Sequence, residues 1–92
     1  MSNPVLVGDW SNFDFTLTPR AKDAFETAVQ PLSDATYTPL AFASQTVAGI
    51  NYCFLCDVQY ATAFPHGNAL KIYVYQPSDG RPSPYWIVPI TP

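Results

Sequence analysis

Between Ile50 and Tyr60 every second residue is apolar: Ile50, Tyr52, Phe54, Cys56, Val58 and Tyr60 alternate with a series that contains Asn51, Asp57 and Gln59. Successive side chains of a β-strand point to opposite faces, so this spacing builds a strand with one unbroken apolar face over Ile50 to Ala61. Such a face needs a second layer to cover it. One segment has the matching character. Thr18 followed by Pro19 is a helix start, with Thr as N-cap and Pro at the first helical position, where its missing N–H costs nothing. Ala21, Ala24, Phe25, Ala28 and Val29 then recur at spacings of three and four, with Arg20, Lys22, Asp23, Glu26 and Thr27 on the other side. Pro31 ends this helix near Gln30. The strand face is therefore expected to meet the helix.

The remaining strands follow from turn chemistry. After a turn at Ser33 and Asp34, Tyr37 to Ser44 reads as a strand, with Leu40 and Phe42 on one face and Ala41 and Ala43 on the other; Pro39 makes it an edge strand or one with a bulge. Pro65, His66, Gly67 and Asn68 read as a turn, and Leu70, Ile72 and Val74 alternate with Lys71, Tyr73 and Tyr75 in a further strand. Gln76 to Pro84 is a loop rich in Pro, Ser, Asp and Gly, and Tyr85 to Ile90 a last strand whose Pro89, with Pro92 beyond it, points to an edge position. One helix followed by strands in hairpin succession gives an α+β fold: an antiparallel β-sheet of about four or five strands wrapped on one α-helix, in a single domain over residues 1–92. The first eight residues are expected to trail free. The stretch Trp10 to Leu17 is unusually aromatic and has no helical period.

Composition narrows the functional classes. Charged residues make up 12% of the chain, against an average near ~25%, and the net charge of −3 includes only four Lys and Arg, none clustered. That gives no footprint for a nucleic acid backbone. No apolar run approaches the roughly 20 residues of a membrane span, and the amino terminus lacks the basic and apolar regions of a signal peptide, so the expectation is a cytoplasmic or already processed soluble chain with no membrane partner. Cys53 and Cys56 form a C-x-x-C, but on a strand a spacing of three sends them to opposite faces. Zinc needs four ligands where only His66 could be added, so buried free thiols are expected. His66 has no second histidine, and no Ser or Cys beside it, with which to build a hydrolytic triad. No set of titratable residues has catalytic spacing, and an enzyme is not expected.

Gln45, Thr46, Val47, Ala48 and Gly49 put apolar residues where a loop between strands is normally polar. Exposed, they forgo the ~25 cal/mol per Å² that burial returns. Gly49 marks the turn-to-strand junction and places Val47 and Ala48 at a hairpin tip, which reads as a contact surface. Read as QxVxG with its trailing Asn51 and Tyr52, this stretch resembles the first binding loop of the cystatins, in particular the stefin branch. The order of elements is also that of the cystatin fold, although between Pro19 and Gln45 the chain is several residues shorter than typical stefins, so its helix should lack about a turn.

The resemblance implies a reversible, competitive inhibitor of papain-like cysteine proteases of the cathepsin type, working without chemistry and without a cofactor. Val5, Leu6, Val7 and Gly8 look like the family's amino-terminal trunk, with Gly8 keeping the peptide bond out of line for attack. Gln45, Thr46, Val47, Ala48 and Gly49 would carry the central contact. The second binding loop has two registers: Pro77, favoured by loop position, and Trp86, a residue type favoured as an interface anchor but also suited to the core of the last strand. A monomer is expected, and the family's exchange of strands between protomers makes a domain-swapped dimer an alternative. The second functional reading is a cystatin-like binding module that does not inhibit proteases.

Overall fold

The computed structural model describes residues 8–61 and 67–92. The expectations placed on Val5, Leu6 and Val7 and on the turn residues Pro65 and His66 lie outside them. A single helix, α1 (Pro19–Val29), precedes four strands, β1 (Ala35–Val47), β2 (Gly49–Tyr60), β3 (Gly67–Gln76) and β4 (Ser83–Ile90). The strands form one antiparallel sheet in the order β1-β2-β3-β4, each paired with its neighbour in sequence, and α1 packs across one face of this meander.

The helix begins as its sequence dictates. Thr18 has extended backbone angles and its side-chain oxygen accepts a hydrogen bond from the Ala21 N–H at 3.1 Å, with Pro19 in the first turn. Ala21, Ala24, Phe25 and Ala28 are buried against Tyr52, Phe54, Cys56 and Val58 of β2 and Leu70, Ile72 and Val74 of β3. Three alanines let the helix lie close to the sheet. Phe25 is its one large buried side chain, and its ring meets that of Phe54 edge-on at a centroid distance of 4.9 Å, the arrangement aromatic quadrupoles favour.

Several boundaries differ from the sequence reading, each for a local reason. β1 is longer at both ends than Tyr37 to Ser44, because its pairing with β2 continues up to Val47↔Gly49. Gly67 and Asn68 are strand residues paired with Gln59 and Val58 rather than turn residues; pairing to a long neighbour overrides their turn propensity. At Pro39 the register slips: Pro39 pairs with Cys56 and Ala41 with Leu55, so Leu40 is an unpaired bulge residue, 49% exposed, instead of sharing a face with Phe42. Beyond the bulge Phe42 opposes Phe54 on the helix side, while Ala41 and Ala43 lie on the other face. β4 closes the far edge of the sheet and carries Pro84 and Pro89.

The aromatic stretch before the helix covers the outer edge of β1. The Gly8 N–H donates to the Thr46 carbonyl at 2.9 Å, Ser11 N–H to Ser44 at 2.8 Å and Asp14 N–H to Phe42 at 2.8 Å, with Phe42 N–H returning a bond to Asp14. The segment advances three residues for every two of β1, so it does not form a regular ladder. The Ser11 hydroxyl oxygen makes up one deficit by accepting from the Ser44 N–H. Gly8, expected to trail free, is thus held to the sheet, and the open edge of β1 is bonded at Phe42, Ser44 and Thr46. An Asx turn, in which the Asp14 carboxylate accepts from the Thr16 N–H at 2.9 Å, redirects the chain towards α1. Replacing the helix's one large core residue, Phe25→Ala, should cost about 3–5 kcal/mol. Urea unfolding should show this as a lower midpoint at unchanged slope, and a loss under about 1 kcal/mol would contradict the packing described.

Candidate functional site

The β1–β2 hairpin turns tightly, over Val47, Ala48 and Gly49 between the paired Thr46 and Ile50. Val47 pairs with Gly49, leaving Ala48 alone at the tip, and Gly49 has a φ of +117°. Only glycine adopts that conformation at little cost. A side chain there would also overlap the Gln76 carbonyl and come to 3.1 Å from the Cα of Pro77. The hairpin tip and the start of the β3–β4 turn are therefore in contact, which follows from the pairing of Ile50 with Gln76.

The amino-terminal side reaches the same end of the sheet. Gly8 is bonded to Thr46, next to Val47, and the Gln45 side chain adds a second tie, its Nε2 donating to the Gly8 carbonyl at 3.1 Å. The other end of the same amide is occupied as well, because Asn51 Nδ2 donates to Gln45 Oε1 at 3.0 Å. On the next strand the Tyr75 hydroxyl donates to the Ala48 carbonyl. Gly8, Thr46, Val47, Ala48, Gly49 and Pro77 thus lie along one rim, with Thr46 and Ala48 exposed and Val47 and Pro77 half-buried. Val7, counted with the trunk, lies outside the described residues.

Trp86 is elsewhere. It sits within β4 opposite Tyr73, which in turn opposes Cys53 and through it Ala43. This row crosses the sheet on the face away from α1, two residues further from the rim along each strand than Gln45, Asn51 and Tyr75. The Trp86 ring stacks on Tyr73 at 4.9 Å and 24°, and Trp10 meets Tyr73 edge-on from the other side. Trp86 is 58% exposed; it is neither a core residue nor part of the β3–β4 turn.

The two cysteines are buried, free and on opposite faces, Cys56 towards α1 and Cys53 beneath Trp10 and Tyr73. Burial pushes both thiols up, Cys56 to about 12, which keeps them in the unreactive protonated form. Among the described residues no group of three or more His, Cys, Asp or Glu side chains is placed to hold a metal ion. Among the same residues no helix is long and apolar enough to cross a membrane.

Tyr75 and Asn51 are not among the contact residues that the sequence suggests, although Asn51 trails the QxVxG stretch. Tyr75 looked like one more outward residue of an alternating strand, and the register that aligns Gln45, Asn51 and Tyr75 in one cross-strand row is a tertiary property. Compared with known proteins, the chain matches no family model, no curated protein and no solved structure. Gly49→Ala should destabilise the protein by about 1–3 kcal/mol, since it forces a side chain into a positive-φ turn with no free space. Thermal unfolding reads this directly, and a variant as stable as the parent would contradict the turn geometry.

Proposed function

We propose that this protein is a reversible, competitive inhibitor of papain-like cysteine proteases, a cystatin of stefin-like architecture that occludes the active-site cleft with its rim. The observation that carries the reading is the convergence of Gly8, the Val47–Gly49 tip and Pro77 at one end of the sheet. A rim of this kind is narrow, weakly charged and largely fixed before binding. Enzyme–inhibitor interfaces of standard size bury about 800 Å² per partner, and their affinity depends more on how little must be ordered than on area. Here the tip is constrained by a tight turn and by Tyr75, and the root of the trunk by two hydrogen bonds.

The reading assigns no bond-making chemistry to the chain: nothing at the rim is a nucleophile or base, and the apolar Val47 and Ala48 serve as surface to be covered by the enzyme. Gly8, with Val7 before it, would run into the cleft on one side of the tip and Pro77 would contact its other wall. No cofactor takes part. The alternative, a binding module of the same fold that engages another partner, is favoured by a separate observation. Tyr85 and Trp86 expose more than half of their surface on or beside the sheet face away from the helix, an area the rim does not use.

Titrating papain with the pure protein tests the first reading. Activity should fall in proportion to inhibitor and recover on dilution, and excess substrate should relieve it. Val47→Asp should weaken inhibition at least about 100-fold, because it buries an unpaired carboxylate against the enzyme, while the melting temperature stays within a few degrees of the parent's. Full papain activity at micromolar concentrations of the parent protein would remove the proposal.

A further inference from the structure

Gln45 opens the QxVxG stretch, and on the sequence it counts as a contact residue. Both ends of its amide are engaged within the molecule: Nε2 donates to the Gly8 carbonyl at 3.1 Å, and Oε1 accepts from Asn51 Nδ2 at 3.0 Å. Gln45 pairs across the sheet with Asn51, and Asn51 with Tyr75, so the three side chains form one row on the face away from α1, directly behind the rim. The row acts at both ends. Through Gln45 it holds the carbonyl of Gly8, whose own N–H is already bonded to Thr46, and through the Tyr75 hydroxyl it holds the carbonyl of Ala48 at the hairpin tip.

We infer that Gln45, Asn51 and Tyr75 are positioning residues: a cross-strand polar row that fixes the root of the amino-terminal segment and the tip of the first loop relative to each other before any partner binds. The chemistry supports a division of labour. An amide has one donor end and one acceptor end; with Asn51 on its oxygen, the Gln45 side chain is oriented so that its N–H faces the Gly8 carbonyl. Asn51 orients Gln45, and Gln45 orients Gly8. Gly8 most needs this help, because glycine has the widest conformational freedom of any residue and no side chain of its own to anchor it. An anchored root orders less on binding than a free one, and that difference appears as affinity. The geometric inference is independent of the inhibitor reading; its consequence for affinity rests on that reading.

The test uses the full chain with Gln45→Glu, Asn51→Ala and Tyr75→Phe. Gln45→Glu keeps an oxygen for Asn51 but turns the donor facing Gly8 into an acceptor, so Gly8 loses its tie with little change in shape. Amide hydrogen exchange at Gly8 should speed up about ten-fold in Gln45→Glu and Asn51→Ala, the scale of one hydrogen bond, while the Phe54 amide in the core keeps its protection. In Tyr75→Phe the Ala48 carbonyl carbon resonance should move and Gly8 exchange should not. Papain inhibition should weaken about ten-fold in each variant. Unchanged Gly8 exchange in Gln45→Glu would overturn the inference even if inhibition were lost, because Gln45 would then be acting as a direct contact. If Gly8 exchange responds as expected but the parent protein does not inhibit papain, the positioning role stands and the protease reading falls.

Discussion

The tight turn over Val47, Ala48 and Gly49 sets the register on which the rest of the molecule depends. Strand side chains alternate with a period of two, so a slip of one position would send Tyr52, Phe54, Cys56 and Val58 away from α1 and bring Asn51, Cys53 and Asp57 towards it. A turn this short allows no such slip. Its cost is a backbone conformation at φ +117° that excludes a side chain at Gly49, and the same lack of space brings Gln76 and Pro77 against it. The feature that fixes the core thus also assembles the rim, because β2 can hold its register with β3 only by placing Ile50 opposite Gln76.

Most of the fold was legible in the sequence, because the relevant signals are local. Thr18-Pro19 specified the helix start, Pro31 its end, and the alternation from Ile50 to Tyr60 the face that receives it. Pro39 announced the bulge, though not that Leu40 would be the residue displaced by it. The covering of β1 by residues 8–14 was not legible. That segment contacts β1 through backbone groups and the Ser11 hydroxyl, in a three-for-two register that leaves no period in the sequence. Its Trp10 has an account only in three dimensions: the ring packs edge-on against Tyr73, above the small residues Ala43 and Cys53.

For the site, the sequence identified the hairpin tip because apolar residues at a turn are anomalous on their own. It left the second loop open between Pro77 and Trp86, since both follow β3 within ten residues and only pairing separates them. The register puts Pro77 at the turn beside Gly49 and Trp86 inside β4. The polar row behind the rim was invisible for the same reason. Gln45, Asn51 and Tyr75 are separated by 6 and 24 positions, and only the pairing of β1, β2 and β3 makes them neighbours. Hydrogen-bonding side chains placed just behind an apolar edge give that edge a fixed shape without adding charge to it, as the proposed inhibitor role would require.

The proposed inhibitor role places the contact surface at the rim and not on the aromatic face. Amide chemical-shift mapping of the isotope-labelled protein against papain with its active-site cysteine blocked by a small alkyl group addresses it most directly. Shifts and broadening should be confined to Gly8, Thr46 to Gly49 and the turn beginning at Pro77, with α1 and the Tyr73–Trp86 row unmoved. Perturbations centred on Tyr85 and Trp86, with the hairpin tip silent, would contradict that role.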